Sequence, residues 1–420
     1  MLNFIYKVEF VTTMNQKVIA VVAIAIIAVV AVGVYLALGQ GGTEEKGTGG
    51  ETFTDAVGRE VVAPENLDNG IVAIGSIGPL RILSMFESAS KVIECDKGDV
   101  TDKKNGRGYS YAWPYDQLTS YHDDNKLESA TVDKIAQLKP SLVIVGNNVY
   151  SNYKDNVDIL AKACTVVVLH NQTMATMWDD NNKLEATLKF NIELVGNMVN
   201  EAKRAKEVIS GIEGIMDDIR SLKGQSDVNV YVAGVTISGS NTLNTTFPTY
   251  LPFKLIGANN AYKGGSTDSR VTINVEDLAN KAVVDVDMIV IDPSSSDKVK
   301  EIDSQNFLKY FYGLNNDDDP LNDVAMFVTV PIVWDSINYD CALASAYYIE
   351  YLLFGTLTQN QVVEKIENIF KVFYGSHGTD VYSKMITFFE GKSADNNVEF
   401  PLLAEVVITE KDGVYSFAAA

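Results

Sequence analysis

The chain has 420 residues, which is too long for one compact core and long enough for a short membrane anchor followed by two lobes. Its hydrophobic content of 46% and charged content of 21% are ordinary for a globular protein, so most of the chain should fold. The formal net charge of -21 argues against nucleic-acid binding, because a polyanion does not neutralise phosphates.

An uncharged apolar run extends from Val18 to Leu38. A helix rises about 1.5 Å per residue, so this run spans roughly 30 Å, the thickness of a bilayer core. Lys17 precedes the run and the pair Glu44-Glu45 follows it, which favours a cytoplasmic N-terminus and an extracytoplasmic bulk. The sequence therefore predicts a single-pass membrane anchor and a Gly-rich tether over residues 1–50.

A cleaved signal peptide is the alternative interpretation of this run. The run is longer than the usual apolar region of a signal peptide, and no clear A-x-A site follows it. No cysteine follows it closely enough for a lipid anchor. Met14 begins a more typical N-terminus than Met1, so residues 1–13 are interpreted as an upstream extension.

Short apolar runs alternate with helical patterns in the first half of the chain. Predicted strands cover Ile71–Gly75, Lys91–Cys95, Ser141–Gly146 and Thr165–His170. Continuous runs rich in β-branched residues are typical of parallel strands that are covered on both faces. Residues 51–182 are therefore predicted to form an N-terminal α/β lobe.

A long helical pattern follows. Apolar residues recur every three or four positions from Leu184 to Leu222, and no proline interrupts them. This pattern predicts one helix over 183–224, roughly 60 Å long, that connects two lobes. The alternation then resumes over 225–420, with predicted strands at Asn229–Gly234, Asp287–Asp292 and Val324–Val330. The predicted fold is therefore α/β, with two Rossmann-like lobes joined by a single long helix and preceded by a transmembrane helix.

Several stretches resemble a known family. The stretch TFTDAVGREVVAP, which begins at Thr52, resembles the opening of iron-siderophore and cobalamin binding proteins of ABC importers. That family begins with T-D-x-x-G-R-x-V-x-x-P, and ATVDKIAQLKPSLVIVG and the long helix resemble its next segments. PIVWDSINYDCALASAYYIEYLLFG resembles the late helix region of its archaeal members. The resemblance covers roughly Thr52 to Phe373. The residues that match the opening pattern are Thr54, Asp55, Gly58, Arg59, Val61 and Pro64.

The resemblance implies an extracytoplasmic solute-binding protein that hands an iron complex of siderophore type, or a corrinoid, to an ABC permease with its ATPase. It also implies a cleft between the lobes as the ligand site. Members often carry a glutamate on the first helix of the first lobe that docks on the permease. Arg81 occupies that position here, so docking is expected at Glu87 or elsewhere.

Ligands of open α/β sheets bind beyond the carboxyl ends of the strands, and this rule selects the candidate ligand-binding residues. Aromatic rings suit a large or greasy ligand because they bury much area and keep a polar edge. Arg107 and Arg270 suit an anionic ligand because a guanidinium pairs with carboxylates. The predicted site consists of Ser76, Tyr109, Tyr111, Trp113, Asn147, Tyr150, Arg270 and Trp334.

Other classes of function are poorly supported. The three cysteines and three histidines show no zinc spacing, and no Walker, GxSxG or HExxH motif is present. No enzyme activity, cofactor or metal site is therefore predicted. Two alternatives stay open: a receptor for a bare metal ion or oxyanion, and an anchored surface sensor or enzyme with the same fold. A Cys95–Cys164 disulfide also stays open.

Overall fold

The computed structural model describes residues 49–75, 78–101, 107–118, 120, 123–171, 177–179, 183–222, 224–235, 242–265, 270–316, 323–334, 336–396 and 401–420. The predicted anchor Val18–Leu38 and the candidate Ser76 lie outside these ranges. No helix in these ranges has the length and apolar character needed to cross a bilayer.

The first sheet is parallel and carries its strands in the order β4-β3-β5-β6. These strands are Ile71–Ile74 (β3), Val92–Cys95 (β4), Leu142–Gly146 (β5) and Val166–Leu169 (β6), which confirms the four predicted strands to within a residue or two. Nearly all their residues are buried, as parallel strands covered on both faces require. Helices connect them: Pro79–Leu83 (α1), Lys97–Thr101 (α2), Tyr109–Ala112 (α3), Ser129–Leu138 (α4), Asn147–Asn152 (α5) and Lys154–Leu160 (α6).

A hairpin of Thr52–Thr54 (β1) and Glu60–Val62 (β2) covers the edge of this sheet at β6. The buried carboxylate of Asp55 accepts hydrogen bonds from the Arg59 guanidinium at 2.7 and 2.9 Å and from the Val168 backbone N–H at 3.2 Å. Arg59 also donates to the Val166 carbonyl. Gly58 supplies the turn with a φ of 81°. The Asp and Arg of the opening motif therefore fasten the hairpin to the sheet.

The predicted single connecting helix is wrong. The structure has two helices, Ala186–Met198 (α7) and Ala202–Leu222 (α8), separated at Asn200, whose φ is 66°. An L-residue in this left-handed conformation ends a helix. The two helices pack closely, because a Cβ placed on Gly196 would lie 2.6 Å from the Cβ of Ala205. The chain therefore turns between α7 and α8 instead of running straight.

The second sheet is mixed and carries its strands in the order β16-β15-β12-β11-β7-β9. The three predicted strands are present as Asn229–Ala233 (β7), Met288–Ile291 (β11) and Ala325–Val328 (β12), all parallel. Parallel β9 (Asn259–Asn260) lies at one edge, and the antiparallel hairpin of Ala404–Lys411 (β15) and Val414–Ala419 (β16) lies at the other. The short strands Thr245–Thr246 (β8) and Val271–Thr272 (β10), and Val333–Trp334 (β13) and Ser336–Ile337 (β14), form two further antiparallel pairs.

The free edge of this sheet at β16 is occupied by a side chain. The amide of Gln305 donates to the carbonyl of Tyr415 at 2.9 Å and accepts from the N–H of Tyr415 at 2.9 Å. Gln305 belongs to the helix Ile302–Leu314 (α11), which packs against β16. Its side chain thus pairs with the edge strand as a neighbouring backbone would.

Helices complete the C-terminal half: Leu251–Ile256 (α9), Val275–Leu278 (α10), Tyr339–Phe354 (α12), Gln359–Tyr374 (α13) and Gly378–Asn396 (α14). A 3-10 helix over Pro293–Lys298 follows β11. One hydrophobic core contains residues of β3, α7, α8, α12 and α13, so it extends from the first sheet to the C-terminal helices. Separate clusters cover the remaining face of each sheet.

Candidate functional site

Polar side chains line the carboxyl edge of the first sheet. The buried carboxylate of Asp96, directly after β4, accepts from the N–H of Gly75 at the end of β3, 3.0 Å away. The side-chain amide of Asn148 donates to the side-chain Oδ1 of Asn125 at 2.6 Å, and its backbone N–H donates to the side-chain Oδ1 of Asn171 at 2.9 Å. These contacts connect the residues that follow β3, β4, β5 and β6 into one hydrogen-bonded edge.

Two predicted site residues lie on helix α5, directly after β5. Asn147 is half-buried, and its side-chain oxygen accepts from the hydroxyl of Ser151 at 3.4 Å. The half-buried ring of Tyr150 has the Arg59 guanidinium 5.3 Å and the Lys154 ammonium 5.9 Å from its centroid. Cations over an aromatic face are attracted by its quadrupole. Tyr150 therefore lies beside the β1-β2 hairpin, and Asn147 lies one turn before it.

The predicted aromatic segment is packed into the protein. Tyr109 and Tyr111, both on α3, are only 2% and 9% exposed. The Tyr109 hydroxyl donates to the Asp99 carboxylate at 2.6 Å, and Arg107 donates to the same carboxylate at 3.2 Å. The fold thus gives Tyr109 a structural contact, and its part in ligand binding stays a prediction.

Trp113 lies at the end of the same segment and is half-buried. Its indole N–H donates to the carbonyl of Ser84 at 3.4 Å, and its ring centroid is 4.3 Å from that of His377. His377 belongs to the 3-10 helix between α13 and α14. Trp113 therefore contacts both the residue that follows α1 and the 3-10 helix before α14, and it retains exposed surface.

Burial dominates the electrostatics of this region. Desolvation raises the pKa of Asp99 to about 7, although the neighbouring Arg107 opposes the shift. Burial also raises the pKa of the Asp340 carboxyl, and hydrogen bonds from Tyr374 and from the Cys341 backbone oppose that shift. Asp99 was not among the predicted site residues. The signal that could have found it is its position in the loop that follows the predicted strand Lys91–Cys95.

Arg81 does not lie on the surface. It is 5% exposed, and its guanidinium stacks 5.0 Å from the centroid of the Tyr109 ring. Its role is therefore internal packing, whereas Glu87, at the start of the 3-10 helix Glu87–Lys91, is exposed.

The second sheet presents hydroxyl groups at its carboxyl edge. Asp292 follows β11, and its carboxylate accepts from the backbone N–H of Ser294 at 2.9 Å and of Ile332 at 3.1 Å. The next two residues, Ser295 and Ser296, are also buried. Gly234, at the end of β7, has a φ of 75°, and a Cβ there would lie 2.1 Å from the Ser295 hydroxyl. The ends of β7 and β11 are therefore in close contact.

Two further predicted site residues lie in the C-terminal half of the chain. Arg270 is half-buried and directly precedes β10. Trp334 ends β13, and its side chain lies outside the described part of the structure. The structure thus brings Tyr109, Tyr111 and Trp113 together on one segment and Asn147 and Tyr150 on another, while Arg270 is placed beside the second sheet.

The strand-end segments of both sheets meet helix α14. It contacts α3, which follows β4 in the first sheet, and the 3-10 helix Pro293–Lys298, which follows β11 in the second. Ligand-binding crevices form where the carboxyl ends of parallel strands converge. The described residues include no group of three or more His, Cys, Asp or Glu arranged to hold a metal ion. Cys95, Cys164 and Cys341 are free thiols, so the Cys95–Cys164 disulfide is not formed.

Comparisons with known proteins agree with this architecture. The structure resembles a periplasmic solute binding protein from Veillonella parvula DSM 2008, with a TM-score of 0.56 and 16% identity over 83% of this chain and 98% of that one. It also resembles an ABC transporter solute binding protein from Sulfurospirillum deleyianum DSM 6946, with a TM-score of 0.51 and 14% identity over 78% of this chain and 95% of that one.

A third similar structure is the molybdate periplasmic binding protein MolA of Haemophilus influenzae, bound to molybdate. Its TM-score is 0.54 at 15% identity, over 77% of this chain and 98% of that one. No curated protein sequence matches the chain. The sequence model described as periplasmic binding protein matches residues 96–309, just over half of the chain. The chain therefore belongs to the periplasmic binding protein family, the solute-binding proteins of ABC transporters, and is a transport protein rather than an enzyme.

Proposed function

We propose that this protein binds an iron complex of siderophore type, or a corrinoid, between the carboxyl edges of its two sheets and delivers it to an ABC import permease. The observation that carries the proposal is the convergence of strand-end segments from both sheets on α14. The polar edge around Asn148 supplies donors and acceptors, and the half-buried Trp113 and Tyr150 supply aromatic surface. A bulky chelate needs both kinds of contact.

The residues proposed to contact the ligand are those that keep exposed surface near the strand ends. They are Trp113, Asn147 and Tyr150 from the first half and Arg270 from the second. The buried Tyr109 and Tyr111 would act by supporting the segment that carries Trp113. Ser76 and Trp334 complete the proposed set on the basis of their sequence positions.

An oxyanion is the second candidate ligand. The MolA structure was solved with molybdate bound, and its fold resembles this one. Neutral donors such as backbone N–H groups and hydroxyls suit an oxyanion, and Ser294, Ser295 and Ser296 supply hydroxyls after β11. An oxyanion is smaller than a chelate and would use these hydroxyls rather than the aromatic residues.

We further propose that Val18–Leu38 anchors the protein in the membrane, with the folded part on the extracytoplasmic side. An uncharged run of this length matches the bilayer core. An anchored receptor stays close to its permease, which raises its effective concentration there.

Native mass spectrometry of the full-length protein, purified in detergent, tests the ligand. We expect a co-purified species with the mass of an iron chelate or corrinoid, together with visible absorbance. Elemental analysis of the same sample distinguishes the candidates: iron or cobalt in stoichiometric amount supports the first, and molybdenum or tungsten supports the second. A protein that binds none of these classes in subsequent titrations would contradict the proposal.

A further inference from the structure

The segment from Arg107 to Trp113 makes an unusually close contact with the C-terminal helices. A Cβ placed on Gly108 would lie 2.3 Å from Oδ2 of Asp340, 3.1 Å from the Tyr374 hydroxyl and 3.3 Å from Phe370. Asp340 is in the first turn of α12, and Tyr374 ends α13. The backbone of the segment is thus seated directly against these two helices, where only glycine fits.

The side chains that contact Gly108, Asp340 and Tyr374, are held in place by hydrogen bonds. The Tyr374 hydroxyl donates to Oδ2 of Asp340 at 2.7 Å, and the backbone N–H of Cys341 donates to Oδ1 at 2.8 Å. Asp340 is 2% exposed and Tyr374 is 5% exposed. The carboxylate therefore has no room to swing away without breaking a buried hydrogen bond, which is costly.

The segment is also bound to the helix that follows β4, and its last residue, Trp113, makes further contacts. Arg107 and Tyr109 both bond the buried carboxylate of Asp99, which belongs to α2 directly after β4. At the far end, Trp113 contacts Ser84 and His377. The contacts thus run from the carboxyl edge of the first sheet, through the segment, to α12 and α13.

We propose that residues 107–113 form an inter-lobe clasp that holds the carboxyl edge of the first sheet at a fixed distance from helices α12 and α13. The clasp restrains relative movement of the two sheets. No single continuous helix connects the two halves of the chain, because α7 and α8 are separate helices. The proposal concerns the free protein and does not depend on the identity of the ligand.

The test uses Gly108→Ala in the full-length protein. Gly108 has a φ of -49° and a ψ of -47°, which alanine adopts without strain, so the substitution adds only the methyl group that meets Asp340. Gly214→Ala is the matched control, because Gly214 lies on α8 with open space around its Cβ position. Hydrogen exchange is measured by mass spectrometry without ligand.

We expect at least tenfold faster exchange in Gly108→Ala, both in peptides covering 107–115 and in peptides covering 339–346, with no change at either place in Gly214→Ala. Faster exchange confined to 107–115 would overturn the clasp, because it would show that the segment and the helices open independently. If Gly108→Ala does not fold, Tyr374→Phe decides, since it removes only the hydroxyl that holds Asp340. We then expect smaller but joint increases in both regions, and an increase at one region alone overturns the proposal.

Discussion

The guanidinium of Arg204 donates through Nε to the backbone carbonyl of Met85, 3.1 Å away. The same side chain donates through its terminal nitrogen to the carbonyls of Val372 and Phe373, at 2.7 and 3.3 Å. Arg204 is on α8, Met85 follows α1 of the first half, and Val372 and Phe373 belong to the last turn of α13. One cation therefore joins three parts of the chain that are distant in sequence.

Replacing Arg204 by Met should lower the free energy of unfolding by about 2 to 4 kcal/mol. The substitution removes hydrogen bonds from a charged donor and leaves the three backbone carbonyls without that donor. Chemical denaturation of the full-length protein measures the change. Lys203→Met, on the exposed side of the same helix, should change it by less than about 0.5 kcal/mol. Equal effects of the two substitutions would contradict the role of Arg204 as a connection.

Asp55→Asn should detach the β1-β2 hairpin from β6. The substitution removes the charge that pairs with Arg59 in a position where the Asp55 side chain is 0% exposed, and losing hydrogen bonds to a charged group costs about 1.5 to 3 kcal/mol. Limited proteolysis should then cut near Gly58 sooner than in the unmodified protein. Glu60→Gln, an exposed change in the same hairpin, is the control. A hairpin that stays protected in Asp55→Asn would show that the ion pair is dispensable.

The buried Asp99 predicts a pH dependence of stability. Its pKa is raised from 3.8 to about 7 in the folded protein, so the folded state binds more protons than the unfolded state between these values. Stability should therefore fall as pH rises from about 4 to about 7, by at most roughly 4 kcal/mol from this group.

Thermal unfolding measured at several pH values checks this prediction. In Asp99→Asn, the fall of stability with rising pH that this carboxyl causes should disappear. The pH dependence contributed by the other titratable groups should remain. An Asp99→Asn protein with the same slope between pH 5 and pH 7 as the unmodified protein would exclude Asp99 as its source.

Trp113→Ala and Arg270→Ala should each weaken binding of the identified ligand. Loss of an engaged anchor costs about 2 kcal/mol, which is roughly a thirtyfold change in affinity. Trp113→Ala should also destabilise the protein modestly, because its ring packs on His377. Isothermal titration, with thermal melting in parallel, separates the two effects. Unchanged affinity in both variants would remove these residues from the proposed site.

The full-length protein should remain with membranes after a high-salt wash and enter solution only with detergent. The physical reason is the apolar surface of Val18–Leu38, which salt does not release. Cell fractionation with an antibody against the folded part measures the distribution. A mature form cut after Leu38 and recovered without detergent would instead support the signal-peptide interpretation.

The strands of both sheets were predictable because buried parallel strands are continuous apolar runs, as in Leu142–Gly146 and Met288–Ile291. The helix break was not, because Val199 and Ala202 keep the three-residue spacing across the left-handed Asn200. The β15-β16 hairpin was missed although Asp412-Gly413, with φ values of 54° and 78°, is a recognisable turn signal.

The aromatic segment shows why a site is harder to predict than a fold. Position after a strand predicts that Tyr109, Tyr111 and Trp113 lie near a carboxyl edge, and the segment bonds Asp99 on the helix that follows β4. The segment packs at Gly108 against Asp340 and Tyr374, which lie far away in sequence and meet it only through the tertiary fold. Sequence patterns report which residues follow strands, whereas the partner that covers them is set by packing.

The side chain of Gln305 has a consequence for how copies of this protein behave together. An open sheet edge offers unpaired N–H and C=O groups to the edge of another molecule, and such pairing is a route to aggregation. Gln305 pairs with both the N–H and the C=O of Tyr415, so the first part of β16 is not open to an incoming strand. When copies of this protein meet at high concentration, this amide favours their remaining separate molecules.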